Sequence, residues 1–306
     1  MDLADQSQPI RPDEGFDESA LEAFLKDCLP NLSGRLTVHQ FPSGFSNLTY
    51  HLRFGDREFV MRRPPFGTKA KSAHDMKREY TILKALKPFY PYCPEPLAYT
   101  DDPSILGCPF YVMERLRGII LRKNLPAGLT FTPREMQQLC ETLLDVLVEL
   151  HQIDYDKAGL GELGHPQGYV RRQVEGWSKR YRNARTEDAP DFEAVMGWLA
   201  AEMPSDTSSP TIIHNDYRFD NVVLDEAAPQ KIIGVLDWEM ATVGDPLMDL
   251  GNTLAYWVQA DDPEESQLMR LMPTHLEGAL TRRQLVQRYM AKTGRTADDF
   301  AFYSAF

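Results

Sequence analysis

One stretch in the second half of the chain constrains its fold most, because polar residues stand there at fixed spacing among short apolar segments. His214, Asp216 and Asn221 follow the pattern H-x-D-x-x-x-x-N, and Asp237 ends the apolar run Ile-Ile-Gly-Val-Leu. Two apolar runs around a polar turn predict a β-hairpin over 222–236. A hairpin returns its second strand beside its first, so we expect Asp237 to lie beside Asn221.

The oxygen atoms of this group suit a metal bound to nucleotide phosphates. Carboxylate and amide oxygens are ligands that Mg²⁺ accepts in proteins, together with phosphate and water oxygens. Phosphoryl transfer needs such ligands, a carboxylate that orients the attacking hydroxyl, and cations on the phosphates. The spacing therefore predicts a kinase-type site for ATP and Mg²⁺, with Asn221 and Asp237 as the metal ligands.

The surrounding motifs carry a family resemblance. His214 to Asn221, then Val-Leu-Asp-Trp-Glu at 235–239 and Gly-Asp-Pro-Leu-Met-Asp-Leu-Gly at 244–251, resemble the aminoglycoside phosphotransferase superfamily. That resemblance covers the chain from about Leu36 onward. It implies an α+β, bilobal protein-kinase-like fold, with a small β-rich N-lobe containing one main helix and a larger, mostly helical C-lobe.

Three further motifs look nearest to one branch of that superfamily. They are Phe-Val-Met-Arg-Arg-Pro-Pro at 59–65, Ala-His-Asp-Met-Lys-Arg-Glu-Tyr at 73–80 and Tyr-Val-Met-Glu-Arg at 111–115. The branch includes kinase-like domains fused to acyl-CoA dehydrogenases and stand-alone bacterial relatives. The resemblance implies that Asp216 is the catalytic carboxylate, which accepts or orients the proton of the substrate hydroxyl, and that Asn221 and Asp237 hold Mg²⁺.

Bracing of the catalytic loop is also implied by the resemblance. His214 and Asp249 would hold the loop through hydrogen bonds. Asp245 could take the place of Asp249, and the sequence leaves that choice open. For either aspartate the competing interpretation is an acid in the first turn of a helix, or its N-cap.

The nucleotide-binding residues of the first lobe are implied in the same way. The loop residues Ser43, Gly44, Ser46 and Asn47 would cover the ATP phosphates. Their loop contains one glycine, so an ordinary hairpin turn is the competing interpretation. Backbone groups at 114–116 would receive adenine between the lobes, and the residues that carry this expectation are Glu114 and Leu116.

Arg62 departs from the protein-kinase pattern. Protein kinases use a strand lysine on the phosphates and pair it with a helix glutamate. The matching residues here are Arg62 and Glu79. Because arginine is permanently charged and presents a fork of donors, we expect Arg62 to bind phosphate as a variant of that lysine. A pair of surface arginines, with Arg63, is the alternative.

The pattern of elements divides the chain into three parts. Residues 1–15 are predicted to be a flexible tail, 16–115 a β-rich nucleotide-binding lobe, and 116–306 a helical lobe with the catalytic loop and the substrate site. A final helix would begin near Thr296 and place Phe300, Tyr303 and Phe306 on one face. A helix that stops so soon after its aromatic face begins is typical of a truncated sequence.

The acceptor is predicted from charge. The formal net charge is −12, yet segments 62–78 and 171–185 each carry six basic side chains against one acid. Such runs are most often solvated helix faces. If they border the cleft, they favour an anionic acceptor such as a hydroxyacyl-CoA over a polycationic aminoglycoside. Trp177 and Tyr181 could stack on that acceptor or pack in the core.

The motifs, the charge and the composition leave some other functions open and argue against others. A kinase for aminoglycoside, choline-like or homoserine-like hydroxyls is one alternative, and a nucleotide-binding pseudokinase or regulatory module is another. The acidic balance argues against a nucleic-acid partner. The sequence contains no run of about 18 apolar residues, so no membrane span is predicted. Four cysteines without metal-site spacing indicate reduced thiols and a cytoplasmic protein. The oligomeric state is not predicted.

Overall fold

A computed structural model describes residues 3–42, 47–65, 74–296 and 300–306. By their internal contacts these residues form two compact units. The N-terminal unit comprises Asp2–Ile119 together with Ile233–Glu239, and the C-terminal unit comprises Ile120–Ile232 together with Met240–Phe306. The segment that contains Asp237 therefore groups with the N-terminal unit.

The N-terminal unit is a mixed layer of helix and sheet. Its elements in chain order are α1 (Glu18–Cys28), β1 (Leu36–Gln40), β2 (Leu48–Phe54), β3 (Arg57–Arg63), α2 (Met76–Leu86), β4 (Pro96–Thr100), α3 (Pro103–Leu106) and β5 (Phe110–Glu114). The strands form one antiparallel sheet in the order β1-β2-β3-β5-β4. The β-rich character expected of this part of the chain is confirmed, and β4 follows a proline-rich connection that hides it in the sequence.

Alternation along β3 decides which side chains reach the site. Phe59 and Met61 join the apolar cluster that contains Leu21 and Leu25 of α1. Val60 and Arg62 alternate with these two residues and therefore point to the opposite face of the sheet. Helix α2 packs on β4 and β5. Arg62 consequently meets a side chain of α2 rather than solvent.

The segment predicted as a flexible tail makes specific contacts in its described part. Gln8 forms an antiparallel bridge with Gln40 at the edge of the sheet. The Asp5 N–H donates to the carbonyl of Gly118 at 3.0 Å. A short 3₁₀ turn, Pro12–Glu14, follows, and the Tyr50 hydroxyl donates to the carbonyl of Glu14 at 2.7 Å. Backbone pairing with a strand edge supplies the physical reason for this order.

The C-terminal unit is mainly helical. Its elements are α4 (Pro133–His151), α5 (Tyr169–Ala184), α6 (Glu193–Ala201), β6 (Thr211–Ile213), β7 (Val222–Leu224), β8 (Ile232–Val235), β9 (Thr242–Gly244), α7 (Pro246–Ala255), α8 (Glu264–Met269), α9 (Arg282–Thr293) and α10 (Ala301–Ala305). Strand β8 begins in this unit and ends in the N-terminal one. The mostly helical character expected of this part of the chain is confirmed.

Local signals set the ends of these helices. Thr132 and Glu135 form the capping box that opens α4, and Gly294 ends α9 in the left-handed conformation. Helix α7 packs closely on α10, because a Cβ on Gly251 would collide with the carbonyl oxygen of Tyr303. Among the described residues, no helix is both long and apolar enough to cross a bilayer. All four cysteines are free thiols, and Cys28 alone is exposed.

Candidate active site

The loop between β6 and β7 carries the motif predicted to be catalytic. The Asn221 side-chain amide donates to the backbone carbonyl of Asp216 and to its carboxylate, both at 2.8 Å. The Asp216 N–H donates to Nδ1 of His214 at 3.2 Å. The five-residue spacing therefore closes a small ring that holds the Asp216 carboxylate. It also leaves the Asn221 amide oxygen as the side chain's ligand atom.

Asp249 accepts the hydrogen bonds expected of a bracing carboxylate. The backbone N–H of His214 donates to it at 2.8 Å and that of Asn215 at 2.6 Å. Asp245 instead accepts from the Leu247 N–H at 2.8 Å and caps α7. Asp249 therefore makes contacts of the bracing kind, whereas Asp245 is the N-cap of α7, which was the competing interpretation.

Two side chains that were not predicted from the sequence, His151 and Tyr289, complete this network. His151, at the end of α4, has Nε2 3.0 Å from the Asp249 carboxylate and Nδ1 2.7 Å from the Tyr289 hydroxyl. The side chains of His151 and Asp249 are completely buried. A lone histidine in the last turn of an apolar helix was the available signal, but its partner is 98 residues away.

Hydrogen bonding overcomes burial at Asp249. Burial by itself raises the pKa of this carboxyl. The hydrogen bond from His151 and the neighbouring His214 lower the pKa more strongly, so it lies below its ordinary value. A carboxylate that accepts several donors stays ionised even without water. Asp249 can therefore hold the loop as an anion.

The loop contains a strained residue that these contacts support. Asn215 has φ +64°, in the left-handed region that non-glycine residues seldom adopt. Its side-chain oxygen accepts from the Tyr169 hydroxyl at 3.1 Å, and its amide donates to the carbonyl of Met240 at 3.0 Å. Strained backbone of this kind persists where its surroundings fix it. Here the strain sits directly before Asp216.

Arg218 is a second functional candidate that the motif did not reveal. Its guanidinium donates to the Asp216 carboxylate at 3.3 Å and lies 4.4 Å from the ring centre of Tyr256. It also lies 3.2 Å from the Asp220 carboxylate. A guanidinium held at this distance restricts the rotation of the Asp216 side chain.

A cavity of about 590 Å³ opens beside Asp216 within the C-terminal unit. Its lining includes the basic or aromatic side chains His165, Tyr169, Arg172, Trp177, Arg180 and Tyr256. Asp216 has the one carboxylate side chain among the described residues that line it. Arg172 donates to the backbone carbonyls of His165 and Gln167. The second of the two basic segments therefore contributes directly to this cavity.

The N-terminal unit contains the other predicted cluster. Arg62 forms ion pairs with Glu79 and Asp237, each at 2.9 Å, and lies 3.6 Å from Glu239. The Asn47 amide donates to Glu239 at 2.6 Å. Arg62 is buried rather than exposed, so the alternative of a surface arginine pair is wrong for this residue. One guanidinium is shared by three carboxylates.

This sharing shifts the proton affinity of both partners. Burial raises the pKa of Glu79 to about 7, because the attraction of Arg62 is opposed by the nearby charges of Asp237 and Glu239. For Arg62, burial by itself lowers the pKa, and the surrounding carboxylates raise it well above its ordinary value. Arg62 stays charged, and its one positive charge faces three carboxyl groups.

Several residues predicted to contact the nucleotide either make other contacts or lie outside the described residues. Ser43, Gly44 and Ser46 lie outside them. Glu114 pairs with Lys87 at 2.9 Å, and its backbone N–H donates to the carbonyl of Glu95 at 2.9 Å. That N–H is thus engaged within the sheet. Leu116 follows β5 and is partly exposed.

The two predicted magnesium ligands have side chains of the chemical types that Mg²⁺ accepts. Asn221 has an amide oxygen and Asp237 has a carboxylate. Within the part of the chain that the structure describes, no group of three or more His, Cys, Asp or Glu side chains could hold a metal. Two protein oxygens suit Mg²⁺, which keeps water and phosphate oxygens as its other ligands.

Comparison with known proteins gives a consistent set of relatives. Residues 37–271 match the model of the phosphotransferase enzyme family. Acyl-CoA dehydrogenase family member 10 of Mus musculus is 34% identical over 305 residues, which are 98% of this chain and 28% of that protein. Family member 11 of Gallus gallus is 36% identical over 253 residues, or 81% of this chain and 32% of that protein. The chain spans about a third of these relatives.

Solved structures agree with this assignment. A provisionally assigned aminoglycoside phosphotransferase from Ralstonia eutropha is 31% identical, with a TM-score of 0.78 over 95% of this chain and 84% of that one. The GDP and kanamycin complex of an APH(2″) enzyme has a TM-score of 0.61 at 17% identity, over 92% of this chain and 85% of that one. The latter shows fold alone. The predicted α+β, protein-kinase-like fold is confirmed.

Proposed function

Because this chain belongs to the phosphotransferase enzyme family, we propose that it transfers the γ-phosphoryl group of ATP to a hydroxyl of a small anionic molecule. The observation that carries the proposal is the cavity beside Asp216, with Arg172 and Arg180 in its lining and no other carboxylate side chain among its described lining residues. A pocket for a polycation would need the opposite charge. The names of the relatives make a hydroxyacyl-CoA a reasonable acceptor to test.

In the proposed reaction the acceptor oxygen attacks the γ-phosphorus. A new oxygen–phosphorus bond forms while the bond from the γ-phosphorus to the bridging oxygen breaks, and ADP leaves with that electron pair. Asp216 orients the hydroxyl and takes its proton. Arg218 and Asn221 hold the Asp216 carboxylate through the contacts described above. These contacts keep its oxygen atoms fixed while the acceptor binds.

We assign the nucleotide to the residues that the sequence motifs imply. Arg62 would bind phosphate oxygens, and the loop residues Ser43, Gly44, Ser46 and Asn47 would cover them. The backbone at Leu116 would receive adenine. Asn221 and Asp237 would hold Mg²⁺, which when bound neutralises charge on the transferred phosphoryl group. Glu79 would keep Arg62 in place when Asp237 turns to the metal.

The largest predicted effect concerns Asp216. Asp216→Asn should lower kcat about 10²–10⁴-fold, the usual loss for a general acid–base group, while ATP affinity stays close to the wild-type value. Steady-state kinetics with Mg²⁺–ATP and a panel of hydroxyl acceptors measures the first quantity, and calorimetric titration with ATP measures the second. The panel should contain hydroxyacyl-CoA and hydroxyalkyl phosphates, with kanamycin, choline and homoserine as the cationic or zwitterionic set.

Asp237→Asn is the matched comparison for Asp216→Asn. It should weaken Mg²⁺–ATP binding at least about tenfold, the lower end of the loss seen when even an outer partner of a metal site is removed. If the wild-type protein binds the nucleotide but phosphorylates no member of the panel, the enzyme proposal is wrong and a nucleotide-binding regulatory module replaces it. Preference for the cationic acceptors would contradict the proposed substrate charge.

A further inference from the structure

One face of α5 forms a continuous wall of the cavity beside Asp216. Tyr169, Arg172, Gln173, Trp177 and Arg180 all line this cavity. Their spacing places them on the same side of the helix. The wall begins at the catalytic loop, because the Tyr169 hydroxyl donates to the side-chain oxygen of Asn215 at 3.1 Å. It continues along the helix away from Asp216.

The far part of this wall holds a cation, Arg180, that pairs with no carboxylate of the described residues. The Arg180 guanidinium lies 4.0 Å from the ring centre of Trp177, whose side chain is 50% exposed. Two other arginines of α5 form ion pairs, Arg171 with Glu175 at 3.6 Å and Arg182 with Glu193 at 2.6 Å, and Arg172 donates to backbone carbonyls. Among the described residues Arg180 forms no ion pair. A stacked arginine keeps its donors free for an anion.

A glycine leaves room for this arrangement. Gly176 lies in the middle of α5, where glycine costs about 0.5–1 kcal/mol relative to alanine. A Cβ at this position would lie 3.6 Å from Nη2 of Arg180. The Arg180 guanidinium thus folds back over Gly176 toward the start of the helix, as long helix side chains commonly do. A Cβ at that distance would be in ordinary contact, so the guanidinium lies directly over the helix at Gly176.

Helix geometry converts these positions into a length. Gly176 follows Tyr169 by seven residues, and a rise of about 1.5 Å per residue separates them by roughly 10 Å along the helix axis. Tyr169 marks the catalytic end of the wall through its bond to Asn215. The Arg180 guanidinium marks the other end. The two ends are separated by more than a compact sugar or amino alcohol would span.

We propose that the Trp177–Arg180 pair binds the anionic end of an elongated acceptor, and that α5 sets a distance of roughly 10 Å between this end and the hydroxyl presented to Asp216. The inference rests on the proposed function, because it takes the cavity as the acceptor site. The apolar surfaces of Trp177 and Tyr256 suit an alkyl or thioester chain between the two ends. Arg180 then selects acceptors by length as well as by charge.

The test measures binding without turnover. Hydroxyalkyl phosphates with a terminal hydroxyl and increasing chain length are titrated into the protein by calorimetry, beside hydroxy carboxylates and neutral diols of equal length. Wild-type protein should bind the phosphates most tightly when their extended length is about 10 Å. Carboxylates should follow, and diols should bind at least about tenfold more weakly, because a charge-assisted hydrogen bond is lost.

Two variants of exposed residues on the same helix separate the proposal from a general charge effect. Arg180→Gln should weaken the best phosphate about tenfold or more and abolish the length optimum. Arg171→Gln removes the same charge from a residue that does not line the cavity, and should leave both unchanged. Equal affinities in Arg180→Gln and wild type, an affinity independent of length, or no binding of any probe would overturn the proposal.

Turnover in the same samples keeps the two proposals apart. Binding with the expected length optimum but no phosphorylated product would contradict the proposed function and leave the binding site standing. Product formation that is insensitive to Arg180→Gln and to chain length would support the proposed function and contradict the proposed binding site. Gly176→Leu gives a second check, because it should block the groove and weaken long acceptors more than short ones.

Discussion

Glu79 in the N-terminal unit and Asp249 in the C-terminal unit are both completely buried carboxyl groups, yet their proton affinities move in opposite directions. The pKa of Glu79 rises to about 7, because burial dominates and Arg62 is shared with Asp237 and Glu239. The pKa of Asp249 falls below its ordinary value, because its hydrogen bond from His151 and the neighbouring His214 outweigh burial. The number and exclusivity of donors decide the outcome.

The contrast suits two different tasks. Asp249 accepts from the backbone N–H groups of His214 and Asn215 and contacts His151, so three donors hold the catalytic loop on one carboxylate. The Arg62 cluster has an excess of carboxylate, which a cation or a change of protonation can relieve. A buried network in which each group is paired is rigid, whereas a partly compensated one responds to added charge. The predictions below test this difference.

Asp249→Asn should produce the largest loss of stability. The amide presents one oxygen where two backbone N–H groups and His151 require acceptors, so buried donors lose their partner. We expect the free energy of unfolding to fall by about 3–5 kcal/mol, the range for breaking a buried charged pair. Urea denaturation measures it. Asp245→Asn on the same helix is the control and should cost about 1 kcal/mol or less, since asparagine also caps helices well.

Glu79→Gln should change the pH dependence of stability. Because the folded pKa is about 7 and the unfolded value is 4.5, the folded protein keeps a proton that the unfolded chain has released between these pH values. The wild-type free energy of unfolding should therefore decrease as pH rises through that window, by up to about 3 kcal/mol from this group. Below pH 4.5 its contribution is fully present.

The variant cannot titrate at this position, so that part of the slope should disappear from urea unfolding curves recorded between pH 4 and 8. Asp249 has the opposite sign, because a lowered folded pKa gives stability that is lost as pH falls. Identical slopes in Glu79→Gln and wild type would show that the Arg62 cluster is as well compensated as the Asp249 network, and the comparison between the two would fail.

Tyr289→Phe should have the smallest effect. It removes one hydroxyl that bonds His151 at 2.7 Å and leaves the three contacts of Asp249 in place. We expect a loss of about 1 kcal/mol in the free energy of unfolding, typical of one hydrogen bond. Thermal unfolding of the variant beside wild type measures it. A loss as large as that of Asp249→Asn would mean that the whole network depends on the tyrosine.

Local patterns in the sequence predicted much of the fold. The Thr132 capping box, the Gly294 stop and the hairpin of β2 and β3 depend on residues that are neighbours in the chain, so they could be read directly. Strand β4 could not, because prolines mask its extended pattern and its pairing with β5 is non-local. The pair Arg62–Glu79 was predicted from the family resemblance and is observed at 2.9 Å.

The sequence by itself determined the spacing of His214, Asp216 and Asn221, because a short loop fixes which side chains can meet within it. Tertiary structure alone decided which distant groups complete the network. His151 reaches Asp249 across 98 residues, and Tyr289 reaches His151 across 138. It also decided that, among the described residues, Arg180 has no carboxylate partner whereas Arg182 pairs with Glu193. Chain neighbours set local geometry, but only packing sets the electrostatic surroundings of a charge.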